Sequence, residues 1–333
     1  MANDTTHRRI RWGVLGYGRI ARDAVIPALR RVANSEFYAL GSRDPAKLAA
    51  CGARHPGAKL HLGYDALLQD PGVDAVYIAL PNSLHREWTL KAAGHGKHVL
   101  CEKPIALNAA ECRDMMAACT AHGVTLMEAF MYRYTARTRQ VLELVRSGVL
   151  GEIKQINAVF RFLATDLDTI ELNPDLGGGS LYDVGCYPVN FIGLIVDAIA
   201  GGPPGAGGQP ESVAVECVRA GGVDVNFAAL LRYASGLLAT VQSGFNAYQR
   251  VGAEIIGTRG VLEIPDAFWG HAGPITLVVG EERRAIAIPA SESYELEVED
   301  FADAILQRRA PQFSLVETLR NAEVIDRLRA AMQ

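Results

Sequence analysis

Ile10-Arg11-Trp12-Gly13-Val14-Leu15-Gly16-Tyr17-Gly18-Arg19-Ile20-Ala21 is the stretch that decides how this chain is read. Ile10 to Leu15 is an apolar run of strand length. Just beyond it Ala24, Ala28, Leu29 and Val32 recur on one side of a helix spanning Ala21 to Val32. Between the two, Gly16 permits a tight turn and Gly18 lets the backbone approach a pyrophosphate. Ala21 stands where a third glycine often stands and still allows close helix–strand packing. The helix N-terminus adds free N–H groups and a partial positive charge. Gly16, Tyr17, Gly18, Arg19 and Ile20 are therefore the candidate phosphate cradle. A Gly-x-Gly-x-x-Ala turn alone is weak evidence; its place between a strand and a helix gives it weight.

The pattern continues outward from that turn. Glu36 to Gly41 reads as a second strand. Asp44-Pro45 reads as an N-cap with proline at the first helical position, starting a helix to about Arg54. Tyr64 to Gln69 suggests a short helix. Ala75 to Leu80 is near-continuously apolar, as in a parallel strand buried on both faces. Arg86 to Ala93 is helical, His98 to Cys101 a strand, Ala109 to His122 a long helix, and Thr125 to Glu128 a closing strand. Such alternation predicts an α/β fold with a doubly wound parallel sheet, whose ligands sit at the carboxyl ends of the strands. The loops Gly16–Arg19, Ser42–Arg43, Pro81–His85 and Glu102–Pro104 all fall at such ends. Leu80, Asn82, His85, Glu102 and Lys103 thus join the candidate cofactor residues.

After about residue 129 the pattern changes. Thr138 to Ser147 reads as a helix ended by Gly148. Strand-like stretches follow at Lys154–Phe162, Ser212–Arg219, Asn226–Tyr233, Leu237–Phe245, Arg250–Gly257, Gly260–Pro265, Thr276–Val279 and Arg284–Ile288. They predict a mostly antiparallel sheet, covered by helices from Tyr187 to Ala200 and Glu295 to Gln307. Val316 to Met332 reads as a final helix. The expected division is a cofactor-binding domain over 1–128 and a substrate-binding and oligomerisation domain over 129–333, with the C-terminal helix able to pack back on the first. Gly201 to Gly208, with Pro203 and Pro204, reads as a flexible surface loop.

Composition narrows the class. The chain has 333 residues, 49% hydrophobic and 21% charged, enough to bury large cores without disulfides or metals. A net charge of −4 argues against nucleic acid as the main partner. No run of about 18 apolar residues predicts a membrane span. Met1 to Arg9 is polar, lacks the apolar core of a signal peptide and reads as a short disordered lead. The six cysteines show no C-x-x-C spacing and read as reduced thiols, so a cytoplasmic location is the default. His95 and His98 are three apart, but Gly94 and Gly96 break any helix that could present both; no metal site is expected.

The end of the second strand chooses the cofactor. An acidic residue there would grip a ribose 2′-OH and repel a 2′-phosphate. Here the strand ends in Gly41-Ser42-Arg43. Ser42 can donate to a phosphate, and Arg43 can pair with it and stack on an adenine. Asp44 is explained as the cap before Pro45. This favours NADP over NAD.

Five motifs follow in order: Gly16-x-Gly18-x-x-Ala21; Pro81-Asn82-x-x-His85; Glu102-Lys103-Pro104; Glu128-Ala129-Phe130-Met131-Tyr132-Arg133; and Gly178-Gly179-x-x-x-Asp183-x-Gly185-x-Tyr187. On these the chain resembles, over nearly its whole length, the glucose–fructose oxidoreductase, inositol dehydrogenase and rhizopine-catabolism family. The Asp-x-Gly-x-Tyr form and the Ser-Arg strand end look most like its NADP-linked branch of xylose dehydrogenases, dihydrodiol dehydrogenases and sugar ketoreductases. The resemblance implies a Rossmann domain followed by an open-faced sheet domain, homodimers or homotetramers through that sheet, and hydride transfer at a sugar-like hydroxyl or ketone. An aromatic dihydrodiol dehydrogenase and a non-catalytic dinucleotide sensor are the competing readings, and retention of Lys103 and Tyr187 weighs against the sensor.

Hydride transfer at a carbinol carbon needs a proton path. Tyr187 is the candidate general acid/base; its reference pKa near 10 needs lowering by a cation, and Lys103 can supply it. In relatives that lysine is itself credited with proton transfer. By resemblance Asp183 orients substrate hydroxyls from the loop before the Tyr187 helix. Read singly, Asn82 is an ordinary N-cap and His85 a surface histidine of a first turn. Met127, Phe130 and Met131 read as core, and Glu128 and Arg133 as residues lining the crevice. One departure stands out: relatives often carry an arginine shortly before the glycine run, where this chain has Ile170-Glu171, in an acidic segment with Asp166 and Asp168.

Overall fold

The computed structural model describes residues 8–166 and 169–332. Met1–His7 of the polar lead and Asp168 of the acidic segment lie outside them. In chain order the elements are β1 (Ile10–Leu15), α1 (Ile26–Arg31), β2 (Ser35–Ser42), α2 (Pro45–Arg54), β3 (Lys59–Leu62), α3 (Tyr64–Leu68), β4 (Ala75–Ile78), α4 (His85–Gly94), β5 (His98–Glu102), α5 (Ala109–Ala121) and β6 (Leu126–Ala129). There follow α6 (Ala136–Arg146), β7 (Ile153–Leu163), α7 (Cys186–Ala200), β8 (Ser212–Ala220), β9 (Val223–Arg232), β10 (Leu238–Gly244), β11 (Asn246–Gly257), β12 (Gly260–Pro265), β13 (Gly273–Val279), β14 (Glu282–Ile288), α8 (Ser293–Gln307) and α9 (Leu315–Ala330).

The chain divides into two units. The first holds Met1–Ile105, Ala110–Ala129 and Tyr294–Leu315; the second holds Ala106–Ala109, Phe130–Ser293 and Val316–Gln333.

In the first unit six strands pair in the order β3-β2-β1-β4-β5-β6, parallel throughout. That is the doubly wound sheet the alternation predicts. Its central strands are buried on both faces, which is why they read as continuous apolar runs. Edge strand β3 is largely exposed and half polar, so its sequence carried no strand signal. Asp44 caps α2 as expected, accepting from Ala46 N–H (2.8 Å) and Lys47 N–H (3.4 Å), with Pro45 at the first helical position. Trp12, fully buried in β1, satisfies its indole N–H on Ser35 Oγ (3.1 Å) and packs on Phe301 of α8, ring centroids 5.4 Å apart. Asn34 Nδ2 donates to Glu299 O (3.0 Å) and Asp303 Oδ1 (2.7 Å) on the same helix. The helix expected to cover the second sheet therefore covers the first. Its apolar face fits either sheet, and Trp12 and Asn34 decide the matter.

In the second unit eight strands pair in the order β14-β13-β12-β11-β7-β10-β9-β8. All contacts are antiparallel except β7–β10. All eight expected strands are present. α7 is buried all round from Cys186 to Ala198, as an apolar helix without a polar face must be. The helical stretch Pro174–Ala200 has the length and composition to cross a membrane, with mean hydropathy 1.4, but 78% of its apolar window is buried inside the protein. It is a core helix.

Candidate active site

In the first unit the glycine turn leaves β1 at its carboxyl end. Gly16 takes φ +92°, and a Cβ there would meet Ala79 O at 2.6 Å, so only glycine fits. A Cβ on Gly18 would meet nothing within 4 Å; this backbone faces open space. Tyr17 is buried near Cys51 and Arg54 of α2 and Arg22 of the following turn. The helix after the turn begins with a π-helical turn, Ala21–Val25, before α1. Neither ring size nor π-turn was legible in the sequence.

At the end of β2, Ser42 is buried and its Oγ accepts from Asp44 N–H (3.1 Å). Arg43 is exposed, its guanidinium 5.6 Å from the centroid of the Tyr64 ring. Asn82 opens a short 3₁₀ turn, Asn82–Leu84, that leads into α4.

The Glu102-Lys103-Pro104 turn ends β5 and contains a cis Lys103–Pro104 bond. Three buried groups hold it. Tyr77 O–H on β4 donates to Glu102 Oε1, while Glu102 Oε2 accepts Lys103 N–H at 3.1 Å. Glu128 Oε1 on β6 accepts Ile105 N–H at 2.9 Å. His85 is fully buried, with Nδ1 2.9 Å from Pro104 O and Nε2 2.9 Å from Leu80 O. It is a clasp between two loops, not the surface histidine expected from its helix-start position. Burial, then Lys103, depress its pKa, while the carbonyl contacts oppose them. Glu128 supports the turn from behind. Arg133 belongs to the second unit, where Nη2 donates to Glu317 Oε1 (2.7 Å) in a buried pair and Nη1 to Asn190 Oδ1 (3.3 Å). His98, too, is occupied structurally: its Nδ1 accepts Thr125 N–H at 2.9 Å.

In the second unit the glycine run is knotted by its own backbone. Gly178 N–H donates to Asn173 O (2.9 Å) and Gly179 N–H to Glu171 O (2.9 Å), so the Ile170-Glu171 segment anchors the run. Asp183 sits half-buried inside a second π-helical turn, Leu181–Gly185, continuous with α7, rather than in the loop expected before it. Its N–H donates to Gly179 O at 3.0 Å. Tyr187, on the first turn of α7, is 7% exposed. Its O–H lies 3.8 Å from Met131 Sδ, and its ring meets Phe130 and Phe160 at 5.3 Å each and Phe268 at 5.6 Å. Phe160 continues to half-exposed Trp269 at 5.4 Å. Two partners were missed by sequence reading, Asp224 and Ser243. They meet the glycine run from β9 and β10, where nothing marks them as different from other strand residues.

Two family models match the chain. Residues 10–130 match an oxidoreductase family with an NAD-binding Rossmann fold, and residues 138–263 match the GFO/IDH/MocA C-terminal domain. The chain belongs to this oxidoreductase family. Among its relatives, D-xylose 1-dehydrogenase (NADP(+)) 2 of Haloferax volcanii is 36% identical, over 95% of both chains. Trans-1,2-dihydrobenzene-1,2-diol dehydrogenase of Xenopus tropicalis is 30% identical over 84% of this chain and 81% of its own. Among solved structures, KijD10, a 3-ketoreductase from Actinomadura kijaniata in complex with NADP and TDP-benzene, superposes with a TM-score of 0.88 at 29% identity, covering 98% of both chains.

Proposed function

We propose that this chain is an NADP-dependent oxidoreductase that moves a hydride between the nicotinamide and a hydroxyl or ketone carbon of a sugar or related cyclic polyol. The observation that carries the reading is the support built around Lys103. A lysine of no consequence at a strand end does not need a buried tyrosine, histidine and glutamate fixing the residues on either side of it, Glu102, Pro104 and Ile105.

The cofactor fits the first unit. Gly16 to Ile20 would hold the pyrophosphate, and the open space over Gly18 supports a close approach. Ser42 and Arg43 would take the 2′-phosphate, because the strand ends in them rather than in an acidic residue, while Asp44 Oδ1 is turned to the first N–H groups of α2. When bound, NADP supplies or accepts the hydride.

The chain's own groups handle the proton. In the oxidative direction the substrate hydroxyl must lose a proton as its carbon loses hydride. We assign that proton to Tyr187, with Lys103 as the cation that favours the phenolate and contacts the substrate oxygen. Asp183 accepts hydrogen bonds from neighbouring hydroxyls. The aromatic surroundings of Tyr187, reaching Trp269 through Phe160, favour a ring with an apolar face. They also support an aromatic dihydrodiol as the second reading.

We further propose a cytoplasmic homo-oligomer, dimer or tetramer, formed through the open face of the second sheet. Val218, Leu230 and Leu238 are exposed on its strands, beside a polar ladder in which Thr240 Oγ1 donates to Asn157 Oδ1 (2.8 Å) and Asn157 Nδ2 to Glu254 Oε2 (2.9 Å). Such a mixed face suits a subunit interface.

The test is a panel of aldoses, cyclic polyols and arene dihydrodiols with NADP, followed by nicotinamide absorbance. Tyr187→Phe and Lys103→Ala should each lower kcat by about 10²–10⁴-fold. Wild-type rates in both variants, or silence across the panel with tight NADPH binding, would overturn the catalytic reading.

A further inference from the structure

Asp224 sits where a regular strand would not put it. Along the β8–β9 pair the register runs Val218 opposite Asn226 and then Arg219 opposite Asp224, so Val225 is an extra residue. In an unbroken strand Asp224 would share the open face with Asn226 and Ala228. The bulge re-aims it to the covered face, where Ser243 of β10 also points. There Asp224 is 9% exposed, and Ser243 and Ser180 are fully buried.

The hydrogen bonds between them run one way. Ser180 Oγ lies 2.7 Å from Asp224 Oδ2 and must donate to it, because a carboxylate only accepts. Ser243 Oγ, 2.9 Å from Ser180 Oγ, must then donate to Ser180. Asp224 Oδ2 also accepts Leu181 N–H at 2.8 Å, capping the helical turn that carries Asp183. The glycines of the motif are shaped to this polar pair. A Cβ on Gly179 would meet Asp224 Oδ1 at 2.3 Å, and one on Gly185 would meet Ser243 Oγ at 3.0 Å.

We propose that Asp224 and Ser243 are positioning residues of the active site: the bulge delivers a carboxylate that locks the Gly178–Leu181 turn and so fixes where Asp183 and Tyr187 are presented. The proposal rests on the catalytic reading of Tyr187 above. Burial pushes the Asp224 carboxyl upward, and the Ser180 and Leu181 donors oppose that. An acceptor kept in so dry a place is consistent with a fixed scaffold rather than a surface cap.

The experiment compares Asp224→Ala, Asp224→Asn and Ser243→Ala with Tyr187→Phe and with the Asp224→Ala/Tyr187→Phe double variant. Active sites are counted by NADPH stoichiometry. Asp224→Ala should lower kcat per site by up to about 100-fold, the scale of a small misplacement of a reacting group, and shift the pH profile of kcat/KM. NADPH affinity should stay within about two-fold of wild type. Asp224→Asn should recover most of the loss, because a carbonyl oxygen in the place of Oδ2 can accept both Leu181 N–H and the Ser180 hydroxyl. Ser243→Ala should show a smaller loss of the same kind, which keeps the idea testable if Asp224→Ala does not fold. The double variant should lose no more than Tyr187→Phe alone. Wild-type kcat per site and pH profile in Asp224→Ala or, if that variant does not fold, in Ser243→Ala, or additive losses in the double variant, would overturn the positioning role. Full activity in Tyr187→Phe would instead overturn the catalytic reading itself.

Discussion

Glu297 is a buried carboxyl. It is 1% exposed on α8, and neither oxygen has a hydrogen-bond donor among the described residues. The groups acting on it are Glu102 of β5 and Asp300 of its own helix; Tyr77 of β4 and Tyr294 of α8 feel its charge in turn. Glu102 is already fixed as an acceptor by Tyr77, so burial and like charge both favour the neutral form of Glu297, well above the ordinary glutamate value of 4.5. The sign follows from proton linkage. Between 4.5 and its raised folded value the native state holds a proton the unfolded state has released, so stability drains away as pH rises, by about 1.4 kcal/mol per pH unit. Glu297→Gln removes this slope. Urea unfolding at several pH values should show the variant gaining on wild type as pH rises above 5; parallel curves would mean Glu297 is ionised. At this scale the sequence is a partial guide. Lys103, Asp44 and Gly16 stand out by motif and spacing. Glu297 does not, and the motifs that hold His85 and Arg133 do not give their burial or partners, because these are tertiary facts with no local signature.

At the scale of elements, the two glycine motifs do different work. At Gly179 the backbone takes φ +121° and Asp224 occupies the place of a Cβ; Gly18 has neither constraint. Gly179→Ala should therefore destabilise the protein by about 1–3 kcal/mol in denaturant unfolding. Gly18→Ala should leave stability within about 0.5 kcal/mol of wild type yet weaken NADPH binding, because its methyl enters the open space over the turn. Equal stability loss in both would mean the turns are constrained alike. Each motif also runs into a π-helical turn, Ala21–Val25 and Leu181–Gly185, a device common at functional sites. Periodicity finds a helix at both places but not its ring size. Alternation recovered every strand of the second sheet because one face is covered and the other open. It missed β3, an exposed edge strand with polar Lys59 and His61. It also gave α8 the wrong sheet, since an amphipathic pattern says that a helix is covered, not by what.

At the scale of the whole chain the residues of the proposed site are divided. The first unit carries the glycine turn, Ser42, Arg43 and Lys103; the second carries Asp183, Tyr187 and their support. Fold and family were legible because five motifs occur in order along one chain. Substrate identity was not: on the proposed reading it depends on side chains around Tyr187 drawn from β7 and the Ala267–Trp269 segment, far apart in sequence. On the proposed reading cofactor choice rests on Ser42 and Arg43 of the first unit, and that is where the account is most exposed. The decisive measurement is a paired fluorescence titration of NADPH and NADH with wild type and Arg43→Ala. The account predicts that NADPH binds wild type at least about ten-fold more tightly, by the roughly 1.4 kcal/mol or more expected of a charge-assisted phosphate contact, and that Arg43→Ala removes the difference. Equal affinity for NADH, unchanged by Arg43→Ala, would contradict it.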